Sequence, residues 1–116
     1  MAAPDVSVVV PVYDEAESLP ELTAWIDRVA RAEGLTYEIV MVDDGSDDGS
    51  WEVIERLAAQ YPAVRAVGFA RNYGKSAALY CGFAEARGEV VFTMDADLQD
   101  SPDEIPAMRR MILDEG

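Results

Sequence analysis

Four short, almost unbroken apolar runs constrain this chain more than any other feature. They are Val6-Ser7-Val8-Val9-Val10, Tyr37-Glu38-Ile39-Val40-Met41-Val42, Val64-Arg65-Ala66-Val67-Gly68-Phe69 and Val90-Val91-Phe92-Thr93-Met94. A strand with one wet face alternates apolar and polar residues, whereas near-continuous runs mark strands covered on both faces, as in parallel sheets. The intervening segments change to the longer helical period. Leu19, Leu22, Ile26, Val29 and Ala30 share one face of a helix from about Ser18 to Glu33, with Ser18 placed to cap it, Pro20 in its first turn and Gly34 at its end. Val53, Ile54, Leu57, Ala58 and Tyr61 form a second stripe before Pro62, and Leu79, Phe83 and Ala86 a third before Gly88. Ser101-Pro102-Asp103-Glu104 reads as a capping box ahead of Ile105, Met108 and Ile112, with Pro106 placed to split off the first turn. The order is βαβαβαβα. That order gives an α/β domain whose parallel sheet has helices on both faces and right-handed crossovers.

Composition narrows the function. The chain has 116 residues, 23 Asp and Glu against 9 Lys and Arg, no His, and a formal net charge of −14. Length allows a single domain spanning 1–116. So negative a chain does not suit nucleic-acid binding, which needs cations to neutralise phosphates. Without His there is no His-based triad and no His-ligated zinc. Cys81, the one cysteine, excludes an intrachain disulfide and reads as a packing residue on a helix. Trp25 and Trp51 read as packing or surface aromatics, and Met41, Met94, Met108 and Met111 as core filler. No apolar run approaches the ~20 residues needed to span a bilayer. The start lacks the basic and apolar regions of a signal peptide. Because the sequence stops directly behind its last helical pattern, we expect an N-terminal fragment of a longer protein.

In parallel α/β sheets ligands bind outside the carboxyl ends of the strands. Those ends carry Pro11-Val12-Tyr13-Asp14-Glu15, Asp43-Asp44-Gly45-Ser46-Asp47-Asp48-Gly49-Ser50, Arg71-Asn72-Tyr73-Gly74-Lys75 and Asp95-Ala96-Asp97-Leu98-Gln99-Asp100. Nine carboxylates fall in three of these loops, and Lys75 is the only lysine. Two carboxylates one residue apart, Asp95 and Asp97, repel each other unless a cation intervenes. Mg²⁺ or Mn²⁺ suits such oxygens and bridges readily to phosphates, with Gln99 as a further oxygen ligand. Taken alone, Asp-x-Asp reads as a solvated turn. Its place after an apolar strand, with Arg71 and Lys75 on the same edge, turns the reading toward a cation site. Asp43 and Asp44 exceed what a turn requires, and either can accept from the N–H groups of a base. Arg71 and Lys75 can bind a diphosphate, beside free N–H groups at the helix start after Gly74. Tyr13 can stack on a base and Glu15 can hydrogen-bond a ribose. With a net charge of −14, nucleotide binding should be weak without metal.

Together these segments resemble inverting glycosyltransferases of family 2, which have the GT-A fold. The Arg-Asn-x-Gly-Lys and Asp-Ala-Asp-Leu-Gln-Asp segments resemble the branch acting on polyprenyl phosphates, which includes dolichol-phosphate mannosyltransferase and the undecaprenyl-phosphate glycosyltransferases. The resemblance covers essentially the whole chain. It implies a Rossmann-like sheet forming the nucleotide-binding half of a GT-A fold. It implies a nucleoside pocket of Pro11, Val12, Tyr13 and Glu15, base and ribose contacts from Asp43 and Asp44, and Arg71 and Lys75 near the base or diphosphate. It also implies catalytic and metal-holding roles for Asp95 and Asp97, with Ala96 at the nucleotide and Gln99 as a ligand. The implied reaction moves a hexose from a GDP-mannose- or UDP-glucose-type donor to a polyprenyl phosphate at the cytoplasmic face of a membrane. Membrane association would come through segments this chain lacks, and the fragment would bind donor only. A glycan acceptor is the alternative, as is a non-catalytic binding domain. A dinucleotide-binding domain would need glycines after the first strand, where there are none. A phospho-accepting signalling domain would place its lysine at a strand end, whereas Lys75 opens a helix.

Overall fold

The computed structural model describes residues 3–115. Its elements are β1 (Val6–Val12), α1 (Leu19–Ala32), β2 (Tyr37–Asp43), α2 (Ser50–Gln60), β3 (Val64–Gly68), α3 (Lys75–Glu85), β4 (Val90–Thr93), a single 3₁₀ turn (Pro102–Glu104) and α4 (Ile105–Glu115). The four strands form one parallel sheet in the order β3-β2-β1-β4. The expected α/β architecture is therefore the observed one.

Alternation along the central strands divides the core. Val6, Val8, Val10 and Val12 of β1, with Ile39 and Met41 of β2, pack against Leu19, Leu22 and Ile26 of α1, Ile54 and Leu57 of α2, and Ile105 of α4. On the other face Val9, Val40 and Val42 meet Ala78 of α3, with Leu79, Cys81 and Ala86 at the margin. Thus α1, α2 and α4 lie on one face and α3 on the other. The chain runs outward from β1 to β2 and β3, then crosses back through α3 to place β4 on the far side of β1. The direction of winding reverses between β1 and β4, and this switch point is where open parallel sheets bind ligands.

Local expectations diverged in several places. The Ser18 side chain does not cap α1. Gly49 in the left-handed region precedes α2, and Asp48 Oδ1 accepts from the Ser50 N–H. The Ser101 capping box is not formed, while the 3₁₀ turn before α4 is the split that Pro106 suggested. Met41 and Met94 are buried, but Met108 and Met111 are exposed and are not core filler. Ile112 is exposed too, so among the stripe residues of α4 only Ile105 reaches the core. In α3 the buried positions are Ala78 and Gly82, and Phe83 faces outward.

At the amino end of the sheet lies a buried ionic knot. The Glu38 carboxylate accepts from the Ser7 hydroxyl at 2.5 Å, the Arg87 N–H at 2.6 Å and Arg65 Nη1 at 3.0 Å. Arg65 continues to Glu85 at 2.7 Å. The candidate site is at the opposite end.

Candidate nucleotide site

Each loop at the carboxyl end is built by its neighbours. In the loop after β1, Asp14 adopts φ 54°, a left-handed conformation that Asp tolerates better than most residues. The loop after β2 holds it there. The Asp14 N–H donates to Ser46 Oγ at 2.9 Å, Glu15 N–H to Ser50 Oγ at 3.2 Å and Ala16 N–H to Asp48 Oδ2 at 3.2 Å. In return the Asp47 N–H donates to Asp14 Oδ1 at 2.9 Å. The Ser50 hydroxyl, donating to Asp48, holds that carboxyl below its ordinary range.

Adjacent residues of a strand point to opposite faces, and this separates Asp43 from Asp44. Asp43 points toward α2, accepts from the Ser46 N–H at 3.2 Å, and borders a recess with Gly45, Ser46, Trp51 and Phe69. Asp44 turns toward α3. Its buried carboxylate accepts from Asn72 Nδ2 at 3.0 Å, the Tyr73 N–H at 2.7 Å and the Gly74 N–H at 3.1 Å. One carboxylate thereby fixes the whole approach to α3. Gly45 lets the two loops touch: its φ is +73°, and a Cβ there would sit 2.3 Å from the Arg71 carbonyl carbon.

In the loop after β4, the Asp95 N–H donates to Asp100 Oδ2 at 3.0 Å and the Gln99 N–H to Asp97 Oδ1 at 3.2 Å. Leu98 adopts φ 68° between them. A non-glycine, γ-branched residue in that region is uncommon and stores strain. The Ser18 hydroxyl donates to the Ala96 carbonyl, pinning the start of α1 to the Asp-Ala-Asp turn.

These loops enclose a cavity of about 260 Å³ lined by Pro11, Val12, Tyr13, Glu15, Asp44, Lys75, Asp95, Ala96 and Asp97. Nine of the expected residues therefore come together. Three do not line it. Asp43 faces α2. Arg71 is exposed and lies 4.8 Å above the Tyr73 ring. Gln99 is not among the lining residues, and its backbone N–H donates to Asp97 Oδ1. Ser18, Ser46, Asp48, Ser50 and Asn72 build the site without having been assigned these tasks from the sequence. The density of Ser, Asp and Asn in the loops was the available signal, since such side chains bond to backbone in turns.

Across the cavity Lys75 Nζ contacts Asp95 Oδ1 at 2.7 Å. This bond and the charge of Asp95 raise the lysine above its ordinary pKa, with smaller contributions from Asp100 and Asp97. Among the described residues no group of three or more His, Cys, Asp or Glu converges as a metal cage. The donor set still fits a hard divalent ion that also takes oxygens from a phosphate. The carboxylates of Asp95 and Asp97 line one wall, and a cationic group is already seated against Asp95.

A parallel sheet with an acidic cavity at its switch point defines a nucleotide-binding α/β domain, and the family comparison makes the assignment specific. Residues 7–116 match the model for glycosyl transferase family 2, and the chain belongs to that family. An undecaprenyl-phosphate 4-deoxy-4-formamido-L-arabinose transferase of Pseudomonas paraeruginosa is 50% identical over 104 residues, covering 89% of this chain and 31% of that protein. Its counterpart in Shewanella sediminis is 48% identical over 103 residues, covering 87% and 31%. The chain thus spans about a third of the length of the curated relatives it matches. Among solved structures, the mannosyltransferase PcManGT from Pyrobaculum calidifontis, in complex with GDP-Man and Mn²⁺, superimposes with a TM-score of 0.76 at 32% identity, covering 94% of this chain and 32% of that one. Staphylococcus aureus TarS 1-349, in complex with UDP-GlcNAc, gives 0.70 at 23% identity, covering 96% and 31%, a likeness of fold. The family and the GT-A fold expected from the four motifs are the ones found.

Proposed function

We propose that this chain is the donor-binding portion of an inverting glycosyltransferase that moves a sugar from a nucleoside diphosphate to a polyprenyl phosphate. The observation that carries the reading is the convergence of Tyr13, Glu15, Lys75, Asp95 and Asp97, from three separate loops, on one cavity at the switch point.

Half-exposed Tyr13 offers a ring for the base, and Glu15 an acceptor for ribose hydroxyls. Lys75 supplies positive charge for the diphosphate. Asp44 acts indirectly, by holding the loop that carries Lys75. Asp95 and Asp97 would hold Mg²⁺ or Mn²⁺. Bound there, the ion supplies Lewis-acid stabilisation of the departing nucleoside diphosphate. In the proposed reaction a lipid phosphate oxygen attacks the anomeric carbon. The new carbon–oxygen bond forms as the bond to the diphosphate breaks, with inversion. A phosphate nucleophile is already anionic, so the demand for a general base is small.

The names of the relatives support the polyprenyl acceptor, and the Mn²⁺ in the mannosyltransferase complex supports the metal. We propose a hexose as the donor sugar; the relatives' names specify an arabinose derivative instead. Among the described residues no helix is long and apolar enough to cross a membrane. We place the parent protein at the cytoplasmic face of a membrane because its acceptor is a lipid.

Calorimetric titration with GDP, UDP, GDP-mannose and UDP-glucose, each with Mn²⁺ and with chelator, tests the reading. The bare diphosphates report the base independently of the sugar. Binding should require Mn²⁺, favour one base, and fall at least tenfold in Asp97→Ala. Binding unaffected by chelator and by Asp97→Ala would sink the metal-bridged site.

A further inference from the structure

Lys75 is placed with more care than a surface lysine requires. It is the first residue of α3, and the three residues before it are tied to the buried Asp44 carboxylate. From that fixed base its side chain crosses to the carboxyl end of β4 and meets Asp95 at 2.7 Å. The pair is open to water: the two side chains are 60% and 47% exposed. Exposed ion pairs contribute little to stability. A bond this weak neutralises Asp95 without locking it, and a doubly charged ion can displace the ammonium.

We propose that Lys75 is the resident counter-ion of Asp95, displaced when a divalent cation binds and then directed to the phosphates of the donor in the same cavity. This rests on the cation-site reading given above. The consequence is a coupling between two ligands. Metal alone must compete with the ammonium. Metal with a nucleoside diphosphate does not, because the phosphates receive the displaced charge. By linkage each ligand strengthens the other by the same factor. Lys75 is thus a positioning residue for the metal site and a contact for the diphosphate. Its two roles predict opposite effects on the two ligands, which a purely structural lysine would not produce.

The test is Mn²⁺ alone, titrated by calorimetry into the 116-residue chain. Lys75→Met and Lys75→Gln should bind Mn²⁺ about three- to tenfold more tightly than the unmodified chain, since a unit charge at about 4 Å in water is worth roughly 1 kcal/mol. The same variants should bind the preferred nucleoside diphosphate more weakly in saturating Mn²⁺. Arg56→Met, which removes one positive charge from exposed α2 surface, should leave Mn²⁺ affinity within twofold and so excludes a net-charge effect. Mn²⁺ binding to the Lys75 variants but not to the unmodified chain supports the proposal most strongly. Equal or weaker Mn²⁺ binding by the Lys75 variants, with the unmodified chain binding normally, overturns the counter-ion role and leaves the donor-site reading standing. Absence of Mn²⁺ binding in every form overturns the cation site itself, and the counter-ion role with it.

Discussion

Removing the Asp44 carboxylate would orphan the N–H groups of Tyr73 and Gly74 and leave the Asn72 amide only its bond to the Asp44 carbonyl. Donors left without partners cost about 1–3 kcal/mol, and those serving a charged acceptor lie toward the top of that range. Asp44→Ala should therefore lower stability by about 2–3 kcal/mol, read from the urea midpoint, and should weaken nucleotide binding as the Lys75 loop loosens. Unchanged stability would mean that water replaces the carboxylate. Glu38, at the other end of the sheet, makes a prediction in pH. Burial works to raise its pKa, but the bonds from Ser7, Arg87 and Arg65 prevail and hold it below its ordinary 4.5. A carboxylate depressed in the folded state stabilises the fold fully above its unfolded pKa, and that contribution fades as pH falls through the folded value. Stability should decline below about pH 4.5. The decline should be shallower in Glu38→Gln than in the parent chain, as measured by urea midpoints across pH 3–6.

Helix α3 lies close on the sheet because Gly82 faces Val9. A Cβ at position 82 would come within 2.2 Å of Val9 Cγ1, and Val9 is fully buried. Gly82→Ala should cost about 1–3 kcal/mol through overpacking, despite the better helix propensity of Ala. It should also shift the helix that carries Lys75. A raised melting temperature would show that Val9 gives way freely. This helix also marks the limit of what the sequence could disclose. Hydrophobic periodicity selected Leu79, Phe83 and Ala86, but close packing selected the small residues Ala78 and Gly82, and smallness carries no periodic signal. The strands were legible because β1 and β2 are covered on both faces. Cavity residues were legible because the carboxyl ends of strands are known in advance to hold ligands. Asp43, Arg71 and Gln99 were not separable from true lining residues by position alone. Strand alternation turns Asp43 toward α2 and Arg71 stacks on Tyr73, and both depend on local geometry.

Over the whole molecule the net charge of −14 works against compaction. The ion pairs Arg31–Asp27, Lys75–Asp95 and Arg110–Glu33 are largely exposed and add little to stability. Screening should therefore relieve more repulsion than it removes attraction. The melting temperature should rise between 20 mM and 500 mM NaCl, a scale on which the Debye length shrinks from beyond 10 Å to a few ångströms. A fall would assign the ion pairs the larger share. The strand order has a further consequence, in time rather than in space. Central β1 has two neighbours, and the Ser18 hydroxyl that closes the site reaches across 78 residues to Ala96. The first neighbour, β2, begins at residue 37, and the second, β4, at residue 90. At a synthesis rate of ~5–20 residues per second, one edge of β1 waits about 3–10 s longer than the other for its partner. For that interval the nascent chain presents a row of unpaired Val backbone to whatever strand is nearest, and the cavity at the switch point has only part of its wall.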